Sequence, residues 1–266
     1  MIGVFDSGVG GLTAVSAFDR LMPQCDIVYF GDTARVPYGT KSKAVIEKYA
    51  FQDCRFLLSE GVKAILAACG TVSSNCLGEL KEALDVPVTG VVEPAAKKAY
   101  ETASRSNRTI AVLGTSATVR SGAYEREIRK YGDFTKIISV ACPLFVSLVE
   151  NGRVGADDAI ANIAVREYLA PIIPLSPSAV ILGCTHYPLL SEVIAKYLPE
   201  SELINASEEA VKSLCSLVGE DDVVCGRSGA RRFYVSDDPE GFAESGRAFL
   251  GHDISDRVNY VNIEEF

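Results

Sequence analysis

Short apolar runs alternate with longer segments of helical periodicity along this chain of 266 residues. The runs are apolar at nearly every position, a pattern typical of parallel strands that are buried on both faces of a sheet. Strands that alternate with helices in this way predict an α/β protein with mostly parallel sheets. The predicted strands are residues 2–5, 27–30, 64–68, 88–92, 110–113, 137–140, 179–182 and 233–235. The predicted helices include residues 42–59, 75–84, 94–104, 122–131, 156–169, 190–197 and 208–217.

A weak internal repeat divides the chain into two similar halves. The first and fifth predicted strands both run into a turn of hydroxyl-bearing and small residues. The third and seventh each lead to a cysteine, Cys69 and Cys184, with a threonine close behind. Ligands of open α/β sheets bind beyond the carboxyl ends of the strands. We therefore expect two pseudo-symmetric halves, each of which brings one cysteine to a shared cleft.

Charge and composition argue against several classes of partner. The formal net charge of −9 repels polyanions, so no nucleic acid partner is expected. No apolar run approaches the roughly 18 residues that suggest a membrane span, and the chain does not start with the basic and apolar segments of a secretory signal. We therefore expect no membrane partner and a cytoplasmic location.

The cysteines and histidines limit the available chemistry further. None of the eight cysteines forms the C-x2-C spacing of a zinc or redox site, and the chain has two histidines, so no metal site is expected. In a chain without a signal segment the cysteines should remain thiols. A cysteine after an apolar strand is usually a small buried side chain, but matched placement in both halves favours a chemical role for Cys69 and Cys184. The remaining cysteines are expected to pack in the core or at the surface: Cys25, Cys54, Cys76, Cys142, Cys215 and Cys225.

Two segments that follow strands carry candidate ligand-binding groups. The segment 6–12, Asp-Ser-Gly-Val-Gly-Gly-Leu, opens a helix, so its N–H groups could hold a carboxylate or a phosphate. Its glycines do not form G-x-G-x-x-G, and a tight strand-to-helix turn explains them equally well. The segment 31–39 is a long turn in which the Tyr38 hydroxyl and the Gly39 N–H are candidate donors to a ligand.

Cys184 and His186 are candidates for a paired thiol and imidazole. If strand geometry continues past Cys184, the two side chains lie on one face, and a neighbouring imidazole lowers the pKa of a thiol from about 8.5 towards neutrality. A Cys/His hydrolase, with Glu150 or Asp6 orienting the imidazole, is one interpretation, but it gives Cys69 no role. A cofactor-independent racemase is another, because inversion needs a base to remove a proton and an acid to return it on the opposite face.

Six segments spread over most of the chain form a specific set of motifs: GVFDSGVGGL at 3–12, GDTARVPYG at 31–39, GVVEP at 90–94, GTSAT at 114–118, PLFV at 143–146 with LVE at 148–150, and GCTHYPL at 183–189. Together they resemble the glutamate racemases of the aspartate/glutamate racemase superfamily. The resemblance implies interconversion of L- and D-glutamate without a cofactor, which supplies D-glutamate for bacterial peptidoglycan. It also implies two α/β domains, residues 94–205 being inserted into a first domain of residues 1–93 and 206–266. Glutamate would be the small-molecule substrate, and homodimers are common in the family.

The same resemblance assigns roles to individual residues. Cys69 would act on the D-enantiomer and Cys184 on the L-enantiomer. Asp6 matches the carboxylate that assists the first thiol, while His186 and Glu150 match the pair that supports the second. The positions that match substrate-holding residues of the family are Asp6, Ser7, Tyr38, Gly39, Gly70, Thr71, Thr115, Thr185 and His186.

Position 70 departs from the family pattern. The family usually reads Cys-Asn-Thr where this chain has Cys69, Gly70 and Thr71, so an amide expected to contact the substrate is missing. A lost hydrogen bond to a charged ligand group costs roughly 1.5 to 3 kcal/mol unless Thr71, Ser73 or Ser74 substitutes for it. We expect the variant Gly70→Asn to keep activity or to lower KM for glutamate. The departure leaves open a racemase of aspartate or another amino acid, and a catalytically impaired paralogue that serves as a binding or regulatory protein.

Overall fold

The computed structural model describes residues 1–106, 109–132, 136–218, 225 and 228–266. Their strands are β1 (Ile2–Asp6), β2 (Ile27–Gly31), β3 (Ala64–Ala67), β4 (Val88–Gly90), β5 (Thr109–Gly114), β6 (Lys136–Ala141), β7 (Ala179–Leu182), β8 (Glu202–Asn205), β9 (Arg231–Val235) and β10 (Val258–Tyr260). Their helices are α1 (Leu12–Leu21), α2 (Lys43–Ser59), α3 (Gly70–Asn75), α4 (Leu77–Ala83), α5 (Val92–Ser104), α6 (Ser116–Ser121), α7 (Ala123–Arg129), α8 (Leu144–Glu150), α9 (Ala159–Leu169), α10 (Ser191–Tyr197), α11 (Ala206–Val218) and α12 (Pro239–Leu250). Short 3-10 helices lie at Thr33–Arg35, Tyr38–Thr40, Ile173–Leu175, Tyr187–Leu190 and Ile263–Glu265.

The strands form two sheets that repeat the same arrangement. The order is β10-β9-β2-β1-β3-β4 in the larger sheet and β6-β5-β7-β8 in the smaller one. Every pairing between neighbouring strands of the described residues is parallel. β1 lies between β2 and β3 as β5 lies between β6 and β7, so β3 and β7 occupy equivalent places. The predicted fold class, two similar α/β units with parallel sheets, is confirmed.

The central strands are apolar because both of their faces are covered. β1, β2, β3, β5 and β7 are buried along their whole length. Burial of a Val, Leu, Ile or Phe side chain stabilises the fold by roughly 1.5 to 3 kcal/mol. The loops at the carboxyl ends of these strands are therefore held by a rigid frame. Over the described residues, we find no helix with both the length and the apolarity that a bilayer crossing needs.

Two helices carry the chain between the sheets. α5 connects β4 to β5, and α11 follows β8 before the chain returns to the larger sheet at β9. α11 packs against α1 and α5, and the hydroxyl of Thr13 on α1 donates a hydrogen bond to Ser207 on α11 at 3.2 Å. The strands of the larger sheet thus come from residues 2–90 and 231–260, and those of the smaller sheet from residues 109–205.

Some element boundaries differ from the sequence predictions. The run 88–92 is not one strand, because Glu93 and Pro94 suit the first turn of a helix, and α5 begins at Val92. The helix predicted at 75–84 is α4, which begins at Leu77 because the backbone breaks at Cys76 (φ −144°, ψ 15°), and Asn75 is the last residue of α3. The edge strands β8 and β10 were not predicted because their sequences, ELIN and VNY, lack an apolar run. The helices that the sequence pattern did not predict are α3, except for its last residue, α6, α8 and α12.

Candidate active site

A cavity of about 360 Å³ lies at the carboxyl ends of β1, β3, β5 and β7, where loops of both halves meet. This volume is within the range of small-molecule sites. Every residue that the sequence predicts for the site lines this cavity: Asp6, Ser7, Tyr38, Gly39, Cys69, Gly70, Thr71, Thr115, Glu150, Cys184, Thr185 and His186. The other lining residues are Gly8, Val36, Pro37, Thr40, Ser116, Pro143, Val146 and Ser147.

Cys69 and Cys184 occupy equivalent positions in the two halves. Each lies two residues beyond the end of its strand, which is Ala67 in β3 and Leu182 in β7. Both cysteines are almost buried, with 4% and 9% of their surfaces exposed. The structure thus brings one thiol from each half to the same cavity.

Asp6 ends β1 and is held by the glycine-rich segment that follows it. Its Oδ2 atom accepts hydrogen bonds from the N–H groups of Gly11 at 2.9 Å and Gly8 at 3.3 Å. The N–H groups of this segment therefore bind a carboxylate of the same chain. This contact explains the glycines, and no nucleotide phosphate is needed to explain them. Among the described residues, the buried Oδ1 atom of Asp6 has no hydrogen-bond partner. That oxygen is available to a cationic group of a ligand.

Burial sets the protonation of Asp6 and Cys69. It raises the pKa of Asp6 above its usual value, against the opposing effects of the nearby His186 and of the two N–H groups. Burial also raises the pKa of the Cys69 thiol, and the Asp6 carboxylate adds to this increase. The Ser7 hydroxyl lies 3.9 Å from the Cys69 sulfur. Cys69 is therefore a neutral thiol at neutral pH, with a carboxyl group of raised pKa beside it.

His186 approaches the thiol of Cys184 through a turn. β7 ends at Leu182, and the N–H of Tyr187 donates a hydrogen bond to the carbonyl oxygen of Cys184 at 3.0 Å. Strand geometry therefore does not continue past Cys184, and it is the turn that brings the imidazole near the thiol. Nε2 of His186 lies 3.1 Å from Oε1 of Glu150.

The two partners of His186 keep its imidazole protonated. Burial opposes the charge, but the neighbouring Cys184 and the hydrogen bond with Glu150 outweigh it and raise the pKa of His186 to about 10. An adjacent imidazolium stabilises a thiolate. The two thiols therefore have different surroundings, since Cys184 has a cationic partner and Cys69 has a buried carboxyl group.

Two residues that the sequence does not predict for the site enclose His186. A Cβ atom at Gly10 would overlap Nδ1 of His186 and Oγ1 of Thr185, so only glycine fits there. The ring of Phe249 on α12 meets the imidazole edge-on, with the ring centroids 5.6 Å apart. Gly10 is visible in the sequence only as part of a glycine-rich turn, and Phe249 lies in a helix that no pattern predicted.

Tyr38 lines the cavity, but its hydroxyl is bound elsewhere. The hydroxyl donates a hydrogen bond to Oδ2 of Asp32 and lies 3.1 Å from Oδ2 of Asp53. Both carboxylates are fully buried. The prediction that this hydroxyl donates to a ligand is therefore wrong, because two buried carboxylates compete for its proton. Gly39, the next residue, keeps its place on the cavity wall.

At Gly70 the backbones of the two halves meet. A Cβ atom on Gly70 would lie 2.2 Å from the carbonyl oxygen of Gly183, which is closer than real Cβ atoms approach any atom. The structure has no room for the asparagine of the family pattern, so the expectation that Gly70→Asn keeps activity is reversed. Ser73 and Ser74 use their hydroxyls on backbone carbonyls and do not line the cavity. Thr71 is left as the candidate that replaces the missing amide.

Hydroxyl groups join the two halves beside Gly70. Oγ1 of Thr71 on α3 lies 3.1 Å from Oγ1 of Thr115, the residue that caps α6. The hydroxyl oxygens of Ser74 and Thr118 lie 3.4 Å apart. Thr71 and Thr115 also line the cavity, so a ligand that binds there contacts the junction between the halves.

The cavity combines groups that suit proton transfer. It offers two thiols, two carboxyl groups and an imidazolium around the space for one small molecule. In the part of the chain that the structure describes, no cluster of three or more His, Cys, Asp or Glu residues is placed to hold a metal ion. Removal of a proton from a carbon acid and its return from a second group is chemistry that this arrangement can perform.

The chain is similar to one group of known proteins over nearly its whole length. Residues 13–214 match the Asp/Glu/Hydantoin racemase family. A glutamate racemase of Persephonella marina is 42% identical over 253 residues, which cover 95% of this chain and 94% of that protein. A glutamate racemase of Thermus thermophilus is 44% identical over 265 residues, which cover 99% of this chain and 97% of that protein. The crystal structure of the Francisella tularensis glutamate racemase in complex with D-glutamate matches with a TM-score of 0.90 at 38% identity, covering 100% of this chain and 98% of that one.

Proposed function

This chain belongs to the Asp/Glu/Hydantoin racemase family, and on that premise we propose that it interconverts L- and D-glutamate without a cofactor. The observation that carries the proposal is the equivalent placement of Cys69 and Cys184 beyond β3 and β7, on one cavity. Inversion of a carbon centre needs a base on one face of the substrate and an acid on the other. The thiol of one half serves as the base and the thiol of the other half as the acid. The D-glutamate formed would serve peptidoglycan synthesis.

We assign removal of the α-proton of D-glutamate to Cys69, with Asp6 as its partner. The substrate ammonium group pairs with the Oδ1 atom of Asp6, which has no partner among the described residues. Burial raises the pKa of both the Cys69 thiol and the Asp6 carboxyl group. Asp6 can therefore take up the thiol proton while the sulfur attacks the α-proton, so that no charge is left unpaired on a buried sulfur.

Cys184 acts on the opposite face, supported by His186 and Glu150. With a pKa of about 10, the imidazole of His186 stays protonated at neutral pH. It stabilises the thiolate of Cys184, which removes the α-proton of L-glutamate. In the reverse direction Cys184 donates its proton to the carbanion, and the imidazolium stabilises the thiolate that forms.

Neutral donors on the cavity wall hold the two carboxylates of the substrate. Hydroxyl and N–H groups can donate hydrogen bonds to a carboxylate without adding a charge that competes with the acid and base groups. Tyr38 lines the cavity, but Asp32 and Asp53 bind its hydroxyl, so we do not assign it as a donor to the substrate. The proposed holding residues are Ser7, Gly39, Gly70, Thr71, Thr115 and Thr185.

We further propose that residues 94–205 form a domain inserted into a first domain of residues 1–93 and 206–266. The division is supported by the strands of each sheet, because those of the smaller sheet all lie between residues 109 and 205. The helices α5 and α11 connect the two domains. A cytoplasmic location would keep both thiols reduced, as the mechanism requires. The homodimer rests on the resemblance to glutamate racemases, and light scattering of the purified protein tests it.

Circular dichroism of L-glutamate with purified protein in D2O, without added cofactor, tests the activity. We expect the optical signal to decay while NMR shows deuterium at the α-carbon, and a parallel sample of L-aspartate to stay unchanged. A response to aspartate alone would make the substrate assignment wrong and favour a racemase of another amino acid. No response to either, from folded protein with reduced thiols, would contradict the activity and favour a binding or regulatory role.

A further inference from the structure

Residues 36–40, here called the wall segment, form one side of the cavity without belonging to either sheet. All five line the cavity, and their regular structure is a single 3-10 turn at Tyr38–Thr40. The segment also touches the other half, since a Cβ atom on Gly39 would lie 3.0 Å from Cβ of Thr115. The 3-10 turn packs against α3 and α6, and the Tyr38 side chain joins it to the buried carboxylates of Asp32 and Asp53.

Arg35 packs next to the wall segment and has three buried acceptors, besides the exposed Glu264 at 3.4 Å. Its guanidinium donates hydrogen bonds to Oδ2 of Asp32 at 2.7 Å, to Oε1 of Gln52 at 2.6 Å and to Oδ1 of Asp53 at 3.1 Å. The guanidinium carbon also lies 4.1 Å from the centre of the Tyr49 ring. Only 9% of the Arg35 side chain is exposed. A planar fork with several donors fits this set of acceptors, and the single ammonium group of lysine does not reproduce it.

The carboxylates that bind Arg35 also bind the wall segment. The Tyr38 hydroxyl contacts both Asp32 and Asp53, and Ser236 donates a hydrogen bond to the other oxygen of Asp32 at 2.8 Å. Burial, together with the neighbouring Asp32, raises the pKa of Asp53 well above its usual value. Without the guanidinium, two buried carboxyl groups would face each other without a cation between them, and removal of one partner from a buried pair is strongly destabilising.

We propose that Arg35 is a positioning residue for racemisation, which fixes Tyr38 from below and so holds the Gly39 backbone at the cavity wall. The inference rests on the proposed function. Arg35 does not line the cavity, so its influence reaches the substrate through the wall segment. The wall segment carries neither thiol, and loss of Arg35 therefore affects substrate binding more than proton transfer.

Kinetics of the variants Arg35→Ala and Arg35→Lys test the proposal. We expect Arg35→Ala to raise KM for both enantiomers by on the order of tenfold or more, with a smaller change in kcat and an unchanged pH profile. Guanidinium ion at low millimolar concentration should restore part of the loss, and Arg35→Lys should keep most of the defect. Arg20→Ala is the matched control, because Arg20 forms an exposed ion pair with Glu208 at 2.9 Å, and its kinetic constants should stay at wild-type values.

A purely structural role for Arg35 predicts a different outcome. It would lower Tm but leave KM unchanged at temperatures where the variant is folded, and that result would overturn the proposal. If Arg35→Ala does not fold, Tyr38→Phe replaces it, since it removes the hydroxyl contacts and keeps the ring. A wild-type KM in Tyr38→Phe would likewise overturn the proposal. If the wild-type protein shows no turnover in the same assay, both the proposed function and this inference are overturned. If the wild type is active and the variants are unaffected, the inference alone is overturned.

Discussion

A single methyl group at Gly70 tests whether the two halves must meet closely for catalysis. The added Cβ atom would lie 2.2 Å from the carbonyl oxygen of Gly183, and real Cβ contacts essentially never fall below 3.0 Å, so the two backbones must separate by about 0.8 Å. Cys69 and Cys184 are the sequence neighbours of these glycines, so the thiols move apart with them. A misplacement of about 1 Å costs on the order of a hundredfold in rate, which corresponds to about 2.7 kcal/mol.

We therefore expect Gly70→Ala to lower kcat/KM for D-glutamate by roughly tenfold to a hundredfold, measured by circular dichroism of the racemisation. Gly78→Ala is the matched control, because no atom lies within 4 Å of a Cβ atom added to Gly78 in α4. That variant should keep its activity and gain up to about 1 kcal/mol of stability. Gly70→Asn should lose at least as much activity as Gly70→Ala. A folded Gly70→Ala protein with wild-type kcat/KM would refute the reasoning, since the close approach would then be dispensable.

Two further predictions concern the acid and base groups. Cys69→Ala and Cys184→Ala should each abolish racemisation in the same assay, whereas Cys215→Ala, outside the cavity, should keep it; near-normal turnover in either of the first two would remove the two-thiol mechanism. Glu150→Gln weakens one of the hydrogen bonds that raise the pKa of His186 to about 10, so the alkaline limb of the pH profile of kcat/KM should move to lower pH. Because the folded pKa of His186 lies above its ordinary value of 6.5, the stability that its charge contributes is complete below about pH 6.5 and is lost as pH rises through about 10. In thermal unfolding measurements across this pH range, Glu150→Gln should lose this stability at a lower pH than the wild type does. The same pH dependence in both proteins would contradict the role of Glu150.

The sequence predicts the placement of both thiols because local patterns determine it. An apolar run fixes a buried parallel strand, and the residues just past its end lie at the edge where ligands bind. Cys69 and Cys184 follow β3 and β7 by the same two residues, so similarity between the two runs was enough to place them together. Asp6 follows from the same rule, since it ends β1.

The parts of the site that were not predictable depend on contacts between distant segments. The Tyr38 hydroxyl is bound by Asp32 and by Asp53, which lies on a separate helix. The lack of space at Gly70 comes from the Gly183 carbonyl in the other half, and Phe249 reaches His186 from α12. No local pattern encodes such distances, and a motif shows a missing side chain without showing what occupies its place.

The different surroundings of the two thiols lead to a stricter test of the proposed reaction. Enantiomers have equal free energies in an achiral solvent, so the equilibrium constant is one, and kcat/KM must be the same for D- and L-glutamate in the wild type and in every variant. The pairing of His186 and Glu150 lies beside Cys184 and is not matched at Cys69, so Glu150→Gln should change kcat and KM unequally in the two directions. The ratio kcat/KM must nevertheless change by the same factor in both directions. If the two kcat/KM values diverged, the measured signal would come from a reaction other than racemisation, and the result would count against the proposed function rather than against the role of Glu150.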